Sequence, residues 1–255
     1  MSRRTEKRFL TEIDEYRCPL SAETQKIAED ELRETENSRS QALAALRNWM
    51  EQNPKFAAIR MDSNYLLRFL RAKKFSVPMA QEAMERYILL RQSWGIAFNQ
   101  LDYKLPVMME LLELGYIFVS PFKDKLGRRV VIYRPGVFDP YKYTNQDMCR
   151  IMGTCYETLL EDEENQVRGV VHYADGSGVS FPHLTLFTPK EAVRIVKNGE
   201  VSLIHENIRH LIGTSRFTLW GGSEYKRSNL LIVVKVNLYL WIYNISCRCR
   251  FIYIL

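Results

Sequence analysis

The chain has 255 residues, of which 46% are apolar and 26% charged, enough to bury a sizeable core in one large domain or two small ones. Its formal net charge of +6 is local: residues 1–200 carry 29 Lys+Arg against 28 Asp+Glu, and residues 201–255 carry 7 against 2. That distribution removes support for nucleic-acid binding by the chain as a whole. The five cysteines, Cys18, Cys149, Cys155, Cys247 and Cys249, form neither a disulfide framework nor paired CxxC half-sites, which fits a reducing cytosol.

The N-terminus, MSRRTEKRFLTEIDEY, lacks an apolar stretch of signal-peptide length, so no secretion is implied. The first 100 residues read as helices. Ser38 and Gln41 form a capping-box pattern ahead of Leu43, Leu46 and Met50, with Pro54 beyond the end. In SNYLLRFLRAKKF, helical spacing puts Tyr65, Leu66, Phe69 and Leu70 on one face and Arg68, Arg71 and Lys74 on another. A further helix starts near Ser76-Val77-Pro78 and repeats Ala80, Ala83, Met84, Tyr87 and Ile88 at helical spacing. Short connections make these a small antiparallel bundle.

From about residue 115 the pattern changes. GYIFVSPF and RRVVIYR read as strands joined by the turn KDKLG. Thr144 and Asp147 open a helix whose stripe is Met148, Ile151, Met152, Cys155 and Leu159, and VRGVVHYA reads as a strand buried on both faces. Thr188-Pro189-Lys190-Glu191 starts a helix that ends at Gly199. Strand and helix alternation predicts an α/β layer with partly parallel pairing. After Glu200 no period is sustained. The apolar run from Asn229 raises a membrane span, but from Val234 it alternates with period two, a strand-like pattern.

The stretch GVVHYADGSGVSF (169–181) carries the chemical question. No lysine and hydroxyl follow Gly178 as a Walker-type loop needs, and Phe181 stands where a dinucleotide fingerprint has its third glycine. Asp175 is expected to cap the following turn by accepting from the Ser177 and Gly178 amides. An acid–base role would need a second titrating group. His172 points to the opposite strand face, which leaves His183 beyond the turn. Metal spacing is absent at His205 and His210, and the run Glu161-Asp162-Glu163-Glu164 reads as a solvated helix end. The basic residues Arg68, Arg71, Lys73 and Lys74 form either an ordinary solvated face or an anchor for an anionic headgroup.

LLRFLRAKKF (66–75), DKLGRRVVIYRPGVFDP (124–140), QVRGVVHYADGSGVSFPH (166–183) and TPKEAVRIVKNGE (188–200) together resemble the CRAL-TRIO lipid-transfer family, in the branch of α-tocopherol transfer protein, cellular retinaldehyde-binding protein and clavesins. The resemblance implies an N-terminal helical bundle followed by an α/β/α sandwich, incomplete at the C-terminus. The boundaries are 1–37 for a helical or flexible lead, 38–98 for the bundle, 99–200 for the first half of the lipid-binding domain and 201–255 for a tail without resemblance, as in a truncated isoform. It implies a monomeric, non-enzymatic cytoplasmic carrier of a retinoid, tocopherol-like or phosphoinositide lipid, with no cofactor and with peripheral association to endosomal or other intracellular membranes. The matching pocket residues are Tyr116, Phe118, Cys149, Met152, Tyr156, Val170, His172, Phe187 and Ile195, around one sheet face. Arg68, Arg71 and Lys73 match the residues that bind phosphatidylinositol bisphosphate. The other readings are an interaction or membrane-docking fragment, and an enzyme using Asp175 and His183.

Overall fold

A computed structural model describes residues 16–94, 101–186 and 208–213. The chain divides into two compact units. One comprises Met1–Glu85 with Leu159–Gly169, and the other Arg86–Thr158 with Val170–Leu255. The first unit is therefore not the continuous 38–98 segment expected, because a later stretch of chain returns to it.

In the first unit, α1 (Ala22–Leu32) is capped by Ser21, whose side chain accepts from the Thr24 amide, and stops at Arg33 in the left-handed conformation. Helix α2 (Glu36–Glu51) begins earlier than Ser38-x-x-Gln41 suggested. Thr35 is the N-cap, and Ser38 sits at the third position as the reciprocal partner, at 2.8 and 3.1 Å. After a short 3-10 turn (Pro54–Phe56) comes α3 (Ser63–Ala72), capped by Asp62. It packs against α2 and against α7 (Glu163–Arg168), a short helix without a periodic signal of its own. Leu20, Ala28, Leu32 and Val167 form one apolar cluster, so residues 159–169 complete the core that the N-terminal helices begin. Helix α4 (Val77–Trp94) starts where Ser76-Val77-Pro78 placed it and runs into the second unit.

The second unit holds α5 (Pro106–Glu113), β1 (Ile117–Lys123), β2 (Arg129–Tyr133), α6 (Asn145–Glu161, whose last turn belongs to the first unit), β3 (Val170–Asp175), the single turn α8 (Phe181–Leu184) and β4 (Ile208–Gly213). The sheet order is β1-β2-β3-β4, with β1 antiparallel to β2 and the remaining pairs parallel. Strand β4 pairs along its whole length with β3, so residues 208–213 extend the sheet, although no sustained period marks them in the sequence. Edge strand β1 carries a bulge: Ser120, Pro121 and Phe122 oppose Val130 alone. Proline is tolerated there because an edge strand has a row of amides outside the ladder. Thr144 and Asp147 cap α6 reciprocally, as the sequence indicated.

The two loops at the strand ends meet backbone to backbone. A Cβ on Gly136 would lie 2.0 Å from the Ser177 carbonyl oxygen, and Gly178 takes φ +77° against the Gly136 carbonyl. The glycines of DGSG and RPG therefore serve close loop packing.

Candidate ligand-binding face

Register divides the sheet residues between two faces. On one, Ile117 lies beside Tyr133, and Val119 beside Val131 and His172, with Val170 one step along. Ile117, Val131, Val170 and His172 are buried. Tyr156 of α6 reaches His172 here, with its hydroxyl 2.8 Å from Nε2. Burial pushes the Tyr133 phenol up to about 12, against a hydrogen bond from Tyr116 at 2.7 Å. Cys149, Met152 and Tyr156 share a half-buried stripe of α6, and burial likewise pushes the neighbouring Cys155 thiol up to about 11, which disfavours a reactive thiolate.

The opposite face carries Phe118, Ile132 and Tyr173 in one cross-strand row. Phe118 is 39% and Tyr173 38% exposed, and Ile132 is half-buried between them. Such a row is an apolar floor with room for contact on its outer side. It also shows that β3 is not buried on both faces at Tyr173.

The nine expected pocket residues therefore do not surround one sheet face. Val170 and His172 lie on the covered face and Phe118 on the open one, because residues an odd number apart in register point oppositely. Tyr116 lies in an aromatic group with Tyr133 (centroids 4.9 Å) and Phe138 (5.2 Å), and is buried. Phe187 and Ile195 lie outside the described residues. Sequence reasoning missed Ile132 and Tyr173, although strict alternation along RRVVIYR and GVVHYA would have separated them from His172.

Either reading of the basic face of α3 requires its two arginines to be exposed, and they are not. Arg68 is 1% and Arg71 0% exposed. Arg71 forms a fork with Glu34 (Nε to Oε2 and Nη2 to Oε1, both 2.8 Å) and donates from Nη1 to Glu163 (2.8 Å) and Gln166 (2.8 Å). Burial opposes the guanidinium charge, but Glu34 and Glu163 outweigh it and raise its pKa above the ordinary value. Arg68 pairs with Glu161 at 2.9 Å and lies over the Tyr65 ring. Both charges are matched inside the protein, which removes them as headgroup ligands. Lys73 is half-buried and Lys74 exposed at the end of the helix.

The acidic run 161–164 is likewise not one solvated face. Glu161 pairs with Arg60 and Arg68, and Asp162 caps α7. Glu163 is buried against Arg71 and accepts from the Tyr16 hydroxyl at 2.6 Å; Glu164 accepts from the Ser21 amide at 2.7 Å and from Thr24. Hydrogen bonding from Arg60 comes first among the causes that hold the Glu161 carboxyl below its ordinary range.

Asp175 accepts from the Ser177 amide at 3.0 Å, as a turn cap does. Ser177, with a smaller contribution from Arg134, holds its carboxyl below the ordinary range. The Ser180 amide donates to Nδ1 of His183 (3.1 Å), so the imidazole proton lies on Nε2 and donates to the Phe138 carbonyl (2.9 Å). The acid–base pair considered from the sequence thus has each member engaged in its own turn. Among the described residues, no group of three or more His, Cys, Asp or Glu is placed to hold a metal, and no helix is long and apolar enough to cross a membrane.

Residues 113–206 match the family model described as CRAL/TRIO domain. The chain is 33% identical over 187 residues to human "Alpha-tocopherol transfer protein-like", covering 72% of this chain and 54% of that protein. The mouse protein of the same name is 31% identical with the same coverage. Human "Clavesin-2" is 29% identical over 170 residues, covering 67% of this chain and 52% of that protein. The chain spans about half the length of the curated relatives it matches.

Proposed function

The chain belongs to the CRAL/TRIO family, and from that premise we propose that it binds a single hydrophobic lipid against the open face of its sheet and carries it between membranes without catalysing a reaction. The observation that carries this reading is the row Phe118–Ile132–Tyr173, apolar across three strands and half-open at both ends. Each methylene a ligand buries there contributes about 0.8 kcal/mol, so a long apolar molecule gains affinity without any charged anchor. The ligand class is retinoid, tocopherol-like or phosphoinositide. The relatives named for tocopherol transfer support the middle member. The protein acts as a monomer in the cytoplasm and associates peripherally with intracellular membranes. Phosphatidylinositol bisphosphate binding stays within the proposal through Lys73 and its exposed neighbour Lys74, in place of the buried arginines.

Native mass spectrometry of the chain purified without detergent tests the reading. The expected result is a population carrying one lipid mass. Phe118→Ala or Tyr173→Ala, each removing about two methylenes of contact, should weaken lipid affinity roughly tenfold and so lower that occupancy. An adduct indifferent to both substitutions would place the ligand elsewhere. A chain with no adduct would end the carrier reading and leave the membrane-docking fragment.

A further inference from the structure

The β1–β2 hairpin ends in a tip that the ligand reading does not use. Phe122 is 78% and Leu126 57% exposed there. Lys123 and Lys125 are exposed beside them, and Arg129 is half-exposed. Register sets Lys123 directly opposite Arg129, a like-charge pair that works against the hairpin. Among the described residues neither has a carboxylate partner, and neither does Lys125.

The tip's single acid is already spent. Asp124 receives the guanidinium of Arg128 through Nε at 2.7 Å, and the amides of Leu126 (3.0 Å) and Arg128 (2.8 Å). With Gly127 at φ +72° and its amide on the Asp124 carbonyl, the turn is fixed. Three cations, Lys123, Lys125 and Arg129, are thus held around two exposed apolar side chains on a rigid turn. The bulge at Ser120–Phe122 interrupts the ladder before it resumes at Lys123 and Arg129.

We propose that this hairpin tip docks on an anionic bilayer surface, with Phe122 and Leu126 entering the headgroup–acyl boundary and Lys123, Lys125 and Arg129 meeting lipid phosphates and carboxylates. Interleaved apolar and cationic groups match that boundary, where apolar contact and surface potential act together. The unmatched cross-strand cations then have their counter-charge in the membrane. The inference stands on the hairpin alone and holds or fails separately from the ligand on the sheet.

The test is flotation of the full chain with vesicles of phosphatidylcholine, alone or mixed with phosphatidylserine. Each basic residue near such a surface strengthens binding roughly fivefold, so Lys123→Gln/Lys125→Gln should weaken binding to the mixed vesicles roughly 30-fold. Phe122→Ser/Leu126→Ser should lose binding at low and high salt alike. All four side chains are exposed, and circular dichroism of both variants checks that the fold is kept. Unchanged affinity in either variant overturns the inference, as does equal wild-type binding to the two vesicle types. Retention on an anionic matrix without vesicle binding overturns it in favour of an acidic protein partner. Vesicle binding lost in the variants while any lipid adduct stays at its wild-type level supports it. A chain that carries no adduct yet binds vesicles through the tip also supports it, while the carrier reading fails.

Discussion

Replacing Arg71 by Met should be among the most damaging single changes in the first unit. The methionine fills much of the space, so the loss comes from charge. Glu34 and Glu163, both buried, lose the guanidinium that meets them at 2.8 Å. Removing one partner of a buried ion pair costs about 3–5 kcal/mol, and two carboxylates losing the same cation place this case at the upper end. With a urea dependence near 2 kcal/mol per molar, the unfolding midpoint falls by about 2 M. Lys55→Met is the control. Its ion pair with Glu85 is as short, 2.6 Å, but the side chains are 54% and 40% exposed, so the loss stays under about 1 kcal/mol. Glu163→Gln added to the Arg71 variant should recover part of the stability, because an uncompensated charge is removed, whereas Glu34 keeps Arg39 at 3.3 Å. Urea titration by circular dichroism gives the midpoints, and hydrogen exchange of peptides from α3 and α7 localises the loss. Equal, small effects of Arg71→Met and Lys55→Met would refute the argument that burial rather than distance sets the magnitude.

Gly136→Ala should destabilise the second unit by about 1–3 kcal/mol, seen as a lower melting temperature, since its Cβ would meet the Ser177 carbonyl oxygen at 2.0 Å and the Gly178 carbonyl carbon at 2.7 Å. Burial tends to raise the Asp124 carboxyl, but Arg128 and the turn amides outweigh it and hold the group below its ordinary 3.8. A depressed folded value means that this stabilisation is complete above pH 3.8 and is lost as pH falls through the lower folded value. Carboxyl chemical shifts should therefore put the Asp124 midpoint below 3.8, and Arg128→Gln should move it upward.

What the sequence revealed of the fold followed from local signals. The Thr144–Asp147 cap, the KDKLG turn and the switch from helical to strand spacing near residue 115 are each set by neighbours in sequence, and each stands where it was read. What failed depended on distant chain. Helical spacing gave α3 one apolar and one basic face, but residues 159–169 cover the second face with acids, and no periodicity within SNYLLRFLRAKKF encodes that partner. The run EDEE looked solvated for the same reason: Arg60, Arg68 and Arg71, which pair with Glu161 and Glu163, stand far upstream in the chain. In the sheet, Phe118 separates from Val170 and His172 because register, not composition, decides which face each occupies. β4 was missed because IRHLIG is too short a run to show its period without its neighbour β3.

The interrupted first unit has a consequence for synthesis. Glu34 is in place when Arg71 leaves the ribosome, but Gln166 follows 95 residues later, with Glu163 just before it. At roughly 5–20 residues per second the guanidinium waits on the order of 5–20 s for its remaining partners. During that interval the apolar surfaces of α1 and α3 lack α7 as a cover. The N-terminal helices therefore cannot finish folding until residue 169 has emerged, after β1 and β2 but before β3 and β4, and until then the nascent bundle is a natural client for a chaperone.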